Sequence, residues 1–169
     1  GRQQRRVPGI ARVRGIAAAA GCQLVARCDL AVAVDSARFA VSGINVGLYC
    51  STPAVALTRN VSRKRAFDML ATGRFIDAER ALRAGLVSEI VEEEALLTRG
   101  LALADEMLAT SPWGLRLSKQ ALNLNIDAPG LEAAMAIEDR QQVILSATED
   151  HREALAAFLE KRAPDYRER

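Results

Sequence analysis

The feature that most constrains the fold is the run Leu30–Val34, which is apolar at every position and directly follows Asp29. A strand with one face in water alternates apolar and polar residues, whereas a strand of a parallel sheet is buried on both faces and does not alternate. The run therefore predicts a strand covered on both sides. With 169 residues, half of them hydrophobic, the chain is long enough to bury such a strand in one domain.

Further strands and turns are predicted around this run. Val7–Val13 reads as an earlier strand, and Gly15–Gly21 as a loop of small residues that leads into a helix over Cys22–Arg27. Arg38–Val41 predicts another short strand, followed by a loop over Ser42–Gly47. The early part of the chain is thus predicted to contain short strands, loops and one helix in succession.

From residue 52 onward the pattern is mostly helical. Hydroxyl and carboxylate side chains suited to capping helix starts predict helices beginning at Thr52, Ser62, Asp77, Ser111 and Thr148, and Pro129 opens one more. Glycines end two of these helices, at Gly73 and Gly85. Leu86–Val91 predicts a last strand. Residues 92–110 predict an amphipathic helix whose buried stripe is Leu96, Leu97, Leu101, Ala104 and Leu108.

Composition excludes several classes of function. A net charge of +2 gives no sign of a nucleic-acid or membrane-surface partner, and no stretch of eighteen apolar residues predicts a membrane span. The odd number of cysteines predicts reduced thiols in a reducing compartment, and hence the cytoplasm. With His151 as the single histidine, we expect no zinc cluster.

The glycines do not form a nucleotide loop. A phosphate-binding loop needs four residues between its glycines and then Lys-Ser or Lys-Thr, whereas Gly15 and Gly21 enclose five residues and are followed by Cys22 and Gln23. The pattern G-x-G-x-x-G is absent from the sequence.

The same loop resembles a different signature. Residues 14–24, followed by Cys28–Ala33, are similar to the signature of the enoyl-CoA hydratase/isomerase (crotonase) family. Family-like spacing continues to the end of the chain, at Phe39-Ala40, Gly47, Ala66–Leu70, Thr72-Gly73, Ala78–Ala81, Gly85–Val87 and Ala157–Arg162. Residues 15–25 and 44–53 further resemble a subgroup of the family that lacks the usual acids.

The resemblance implies an α/β fold, the crotonase-type spiral of strand–helix turns with a helical C-terminal tail. Residues 1–110 would form the C-terminal part of the spiral core, and residues 111–169 a tail used in trimer assembly and CoA binding. We expect a first third of the family fold to be missing; the alternative is a complete small domain. The implied partners are acyl-CoA and further copies of the chain, as a trimer or a dimer of trimers.

The resemblance also assigns the reaction site. Gln23 and Gly43 stand where hydratases of the family have glutamates, and neither an amide nor a bare glycine can transfer a proton at neutral pH. The backbone N–H of Ala20 corresponds to one of two donors to the thioester enolate oxygen, with the second donor in the part that is missing. Gln23 either holds a water or substrate carbonyl through its amide or packs locally.

Other residues are implied to bind substrate. Ala18, Tyr49 and Cys50 correspond to the acyl pocket, and Phe158 and Lys161 to the helix that approaches the adenosine-phosphate end of CoA. Lys161 has a second reading, as a cation that complements a helix dipole. The resemblance implies that no metal or redox cofactor is needed. Coenzyme A enters as part of the substrate.

Three hypotheses follow for the function. The first is an enzyme of fatty-acyl-CoA metabolism, a lyase or isomerase that relies mainly on the oxyanion donors. The second is a non-catalytic acyl-CoA binder or mixed-oligomer partner, and the third is an inactive truncated remnant. A nucleophilic role for Cys50 or Ser51 is disfavoured, because such a role needs a base within hydrogen-bond reach.

Overall fold

The computed structural model describes residues 7–168, which form two compact units. Within the described residues, the first unit covers residues 9–104, and the second covers residues 7–8 and 105–168. Six strands run through the first unit: β1 Ile10–Val13, β2 Ile16–Ala18, β3 Leu30–Val34, β4 Arg38–Ala40, β5 Ile76–Asp77 and β6 Glu89–Val91. The helices are α1 Ala20–Ala26, α2 Ser51–Thr58, α3 Arg63–Thr72, α4 Ala78–Ala84, α5 Leu96–Leu108, α6 Pro112–Ile126, α7 Leu131–Ser146 and α8 Glu149–Glu160.

Strand β3 is the centre of a parallel sheet, as its composition predicts. It pairs with β1 on one side and with β6 on the other, both in parallel register. Residues 31–34 are buried on both faces, with Val32 and Ala33 completely inaccessible. The prediction of a strand covered on both faces is confirmed, and its cause is the continuous apolar run.

A second three-stranded sheet positions the loops of interest. Strand β2 pairs in parallel with β4, and β4 pairs antiparallel with β5. Ala18 and Ala40 are partners at the end of the parallel pair. Because both strands run the same way, the segments that follow Ala18 and Ala40 leave from one edge of this sheet.

The core of the first unit is made of aliphatic residues and one aromatic ring. Its largest fully buried side chains include Phe39, Leu57 and Met69, which come from β4, α2 and α3. Burying a side chain of this size stabilises the fold by about 1.5–3 kcal/mol relative to leaving it exposed. These three side chains belong to the core between the helices and the sheets.

Several predicted helix ends are confirmed by their hydrogen bonds. The side chains of Asp77, Ser111 and Thr148 accept the N–H groups of Arg80, Gly114 and His151, so each caps its helix. Gly73 and Gly85 end α3 and α4 in left-handed conformation.

Other predicted boundaries are wrong. The loop Gly15–Gly21 contains β2, and α1 begins at Ala20 rather than Cys22, because the parallel partner β4 recruits residues 16–18 into a sheet. Helix α2 begins at Ser51, so Thr52 is inside it and not its cap. The helix expected at Pro129 begins at Leu131. The last strand is limited to residues 89–91.

Two further corrections concern packing. The predicted strand Val7–Val13 is confined to β1, and Val7 is exposed. In α5 the buried positions are Leu96, Gly100 and Leu103, while Leu97, Leu101 and Leu108 are exposed. The helix therefore has two apolar stripes. The prediction chose the stripe that contains more leucines, whereas the stripe that is buried includes Gly100. Gly100 is buried because the aliphatic part of Arg12 lies directly over it.

Candidate active site

The turn between β2 and α1 has an unusual backbone. Ala19 adopts φ 47° and ψ −113°, a conformation that alanine rarely takes, and its N–H donates to the Ala40 carbonyl at 2.9 Å. Such a conformation costs on the order of 1–3 kcal/mol and persists only where the surroundings fix it. Here the sheet fixes one side and the helix start fixes the other.

The strained turn leaves the first amide of α1 available. Gln23 N–H donates to the Ala19 carbonyl at 3.0 Å, so the hydrogen-bonded ladder starts one turn after Ala20. Within the described residues no side chain caps this helix, and the Ala20 N–H has no acceptor. Ala20 is exposed and Ala18 is half-buried beside it. An N–H without an acceptor, on an exposed residue, is able to donate to a ligand oxygen.

Gln23 lies on the same helix, one turn from Ala20. Its side chain is half-buried, and among residues 7–168 it makes no hydrogen bond. The amide therefore keeps its donor and acceptor capacity. The half-buried position also fits the local-packing alternative, so both roles of Gln23 stay predictions.

Gly43 lies in a 3₁₀ turn over Ser42–Val46, three residues after the end of β4. Its N–H donates to the Cys50 Sγ at 2.9 Å, and its carbonyl accepts the Leu48 N–H at 3.0 Å. Gly47 closes the turn with φ 74°. The loop is thus a compact, internally bonded segment and not an open one.

Tyr49 and Cys50 end this loop at the start of α2. Tyr49 is 70% exposed, whereas Cys50 is half-buried and occupies the position before the first helical residue. Helices α1 and α2 pack against each other. The loop with Gly43 and Cys50 and the helix with Gln23 are therefore adjacent in the first unit.

Cys22 is a second thiol close to this region. Burial, with a smaller contribution from the charge on Cys50, raises the pKa of Cys22 to about 12. A thiol with so high a pKa stays protonated at neutral pH, and the thiolate is the reactive form. Cys22 is therefore a packing residue and not a nucleophile.

The remaining predicted site residues belong to the second unit. Phe158 is 80% exposed on α8, and Lys161 follows the helix in left-handed conformation with φ 55°. Lys161 thus sits at the C-terminal end of a helix, where a cation complements the dipole, and its side chain is also exposed to solvent.

Asp29 and Asp68, two carboxylates of the first unit that could be asked to replace the family's acids, have other partners. Asp29 accepts the Gly9 N–H at 2.7 Å, and Asp68 pairs with Arg74 at 2.9 Å. His151 lies at the start of α8 in the second unit and donates its N–H to the Thr148 hydroxyl. Two features escaped the sequence: the strained Ala19 and the Gly43–Cys50 contact. The only sequence signal for the first is the run of small residues around it.

The family model for enoyl-CoA hydratase/isomerase matches residues 3–169. The chain therefore belongs to the enoyl-CoA hydratase/isomerase family, and its fold is the α/β crotonase type.

Within that family the chain is similar to the subgroup suggested by its loops. It is 46% identical over 162 residues to the mitochondrial enoyl-CoA hydratase domain-containing protein 3 of Danio rerio, covering 94% of this chain and 54% of the relative. The human enoyl-CoA hydratase domain-containing protein 3 has a solved structure that superposes with a TM-score of 0.91 and 43% identity, covering 97% of this chain and 64% of that one.

A solved enoyl-CoA hydratase from Mycobacterium smegmatis is also similar. It has a TM-score of 0.93 and 47% identity, with 97% of this chain and 63% of the other covered. The chain spans about half the length of the curated relatives that it matches.

Proposed function

We propose that this chain supplies an acyl-CoA thioester site of an enoyl-CoA hydratase/isomerase family protein, and that it lacks ordinary hydratase activity. One observation supports the proposal above all: Ala20 is an exposed residue at a strained turn between strand and helix, and its N–H has no acceptor among the described residues. A preorganised backbone donor of this kind stabilises a developing oxyanion by about 3–4 kcal/mol. By the family resemblance, we propose that this oxyanion is the enolate oxygen of the thioester.

The chemistry available at the site limits the reaction. Hydration needs a base to activate water and an acid to protonate the α-carbon, and each proton transfer contributes roughly 10²–10⁴-fold. Gln23 and Gly43 supply neither. Gln23 is proposed to hold a water or the substrate carbonyl through its amide, with Ala18, Tyr49 and Cys50 beside the acyl group. Phe158 and Lys161 are proposed to contact the adenosine-phosphate end of CoA.

The test measures binding and turnover separately. We expect saturable heat on calorimetric titration of the folded chain with acyl-CoA, and very slow hydration of crotonyl-CoA. Lys161→Ala should weaken binding because a phosphate partner is lost, while Lys64→Ala, an exposed lysine on α3, should leave it unchanged. No heat at millimolar ligand would contradict the binding site, and hydration at an ordinary enzymatic rate would contradict the assignment of Gln23 and Gly43.

A second candidate is a non-catalytic acyl-CoA binder or mixed-oligomer partner. It is favoured by the absence of a carboxylate at both Gln23 and Gly43. Binding without turnover of any acyl-CoA would select it over the enzyme of fatty-acyl-CoA metabolism. An aggregated chain that binds nothing would select the inactive remnant.

Assembly and compartment are proposals of the same kind. Exposed apolar side chains on α7 and α8 support association of several copies, as a trimer or dimer of trimers, which light scattering on a size-exclusion column would detect. Among the described residues no helix is long and apolar enough to cross a membrane. The cytoplasm stays a prediction from reduced thiols, while the Danio rerio relative is named as mitochondrial.

A further inference from the structure

The loop between β4 and α2 is closed by a hydrogen bond between Gly43, near its start, and Cys50, at its end. Gly43 uses both backbone groups in this closure, donating its N–H to the Cys50 Sγ and accepting the Leu48 N–H at its carbonyl. Asn45, in the same loop, donates to the Gly73 carbonyl at the end of α3. The loop is therefore fixed both to itself and to a neighbouring helix.

The sulfur of Cys50 also fills the space beside Gly43. A Cβ atom at residue 43 would lie 2.6 Å from the Cys50 Sγ and 3.3 Å from the Leu48 carbonyl oxygen. Favourable contact between nonbonded heavy atoms starts at about 3.5 Å, so the first distance is a clash. Gly43 is not among the glycines with positive φ, so its backbone accepts an L-residue. The thiol is the nearest obstacle to a side chain at 43, and the Leu48 carbonyl is the next.

We propose that Cys50 is a positioning residue whose sulfur occupies the volume of the missing side chain at residue 43, so that a side chain at 43 excludes the thiol of residue 50 from its present position beside the residue 43 N–H. The sulfur can escape by rotating about its one side-chain bond, but it then loses the Gly43 N–H. The proposal goes beyond the proposed function, because it holds whether or not the chain is catalytic.

The consequence for the reaction is specific. A carboxylate side chain at residue 43, where hydratases of the family have one, displaces the Cys50 sulfur and deprives the residue 43 N–H of its acceptor. Gly43→Glu alone should therefore disturb the loop, and adding Cys50→Ala should lessen that disturbance.

A double-mutant cycle tests the exclusion without any activity measurement. We expect Gly43→Ala to lower the Tm by about 2–10 °C, as an overpacked site does. Adding Cys50→Ala should return most of that loss, because the two positions share one volume. Gly130→Ala is the matched control, since a Cβ there meets nothing within 4 Å. A double variant no more stable than Gly43→Ala, including the case in which neither folds, would overturn the proposal.

Thiol labelling gives a second readout that general destabilisation does not share. Iodoacetamide labelling with peptide mapping should be several-fold faster at Cys50 in Gly43→Ala than in the parent chain, while buried Cys22 stays unlabelled in both. Cys50→Ser should keep the parent Tm within about 2 °C, because the hydroxyl still accepts the Gly43 N–H and is smaller than the thiol. Equal labelling of Cys50 in both chains would contradict displacement of the sulfur.

Discussion

The two units are stabilised by different means. In the first unit the sheets and helices enclose a core of aliphatic side chains, and Phe39, Leu57 and Val32 are completely buried. In the described part of the second unit the buried residues are Gln141, Asp150 and Ala157, two of which are polar. Large apolar side chains of that unit are exposed at Leu122, Leu124, Ile126, Leu131, Met135, Val143, Ile144, Leu155, Phe158 and Leu159.

Carboxylates organise the second unit where apolar burial is small. Asp150 accepts the backbone N–H groups of Arg167 and Glu168, and Glu153 pairs with Arg162 at 2.6 Å. These bonds hold the last residues against α8. The comparison teaches that the first unit contains its own hydrophobic driving force, whereas the described part of the second unit buries few apolar side chains, although both units expose large apolar residues.

The largest expected effect separates the two kinds of stabilisation. Phe39→Ala should destabilise the chain by about 3–5 kcal/mol, because it empties a fully buried site. Leu159→Ala, at a residue 79% exposed, should change the free energy of unfolding of the monomer by less than about 0.5 kcal/mol. Urea unfolding at low protein concentration measures both. Equal losses would show that the difference in burial does not govern stability.

The second prediction concerns the hydrogen bonds that Asp150 accepts from the backbone of the last described residues. Asp150→Ala should cost about 1.5–3 kcal/mol, since two backbone donors lose a charged acceptor. Hydrogen exchange at the Arg167 and Glu168 amides should accelerate, while the amides of β3 should be unaffected. Glu149→Ala, one residue earlier and exposed, is the control. Unchanged exchange at residues 167 and 168 would contradict the role of Asp150.

The third prediction concerns pH. Hydrogen bonds from Arg162 and from the Asp165 N–H, with the Arg162 charge, hold the pKa of Glu153 at about 2, below its ordinary value of 4.5. A lowered pKa means that the contribution is fully present above pH 4.5 and is lost as the pH falls towards 2. Exchange protection of the Asp165 amide, corrected for the intrinsic rate, should therefore be constant from pH 7 to 5 and fall below 4.5. Glu153→Gln should remove that dependence, and a fall that persists in Glu153→Gln would assign it to another group.

The smallest expected effect lies in the first unit, at the strained turn. Ala19→Gly should be neutral or stabilising by up to about 1 kcal/mol, because glycine adopts a positive φ without steric cost. Ala104→Gly, inside α5, should destabilise by about 0.5–1 kcal/mol. Chemical unfolding of both variants provides the comparison. A loss at Ala19 as large as at Ala104 would show that the turn is not strained.

Sequence reasoning predicted the elements whose causes are local. The strand Leu30–Val34 followed from continuous apolar composition, and the caps Asp77, Ser111 and Thr148 from hydrogen bonds within one turn. The stripe of α5 was wrong because Gly100 is buried by the side chain of Arg12, which is distant in sequence. Nothing in the sequence indicated the Gly43–Cys50 contact, because it depends on how the loop closes. The roles of Ala20, Gln23 and Lys161 stay predictions.

The parallel pairing of β3 has a kinetic consequence. Ala31 and Ser88 are 57 residues apart in the chain, yet the Ala31 N–H donates to the Ser88 hydroxyl and the Ser88 N–H donates to the Ala31 carbonyl. Closing so long a loop costs chain entropy before the sheet contacts form and offset that loss. Folding rates fall as contacts become less local. On the ribosome, the β1-β3-β6 sheet cannot be completed until β6 has emerged, although β1 and β3 are made much earlier. The pairing of β3 with β6 is therefore the non-local step on which this sheet depends.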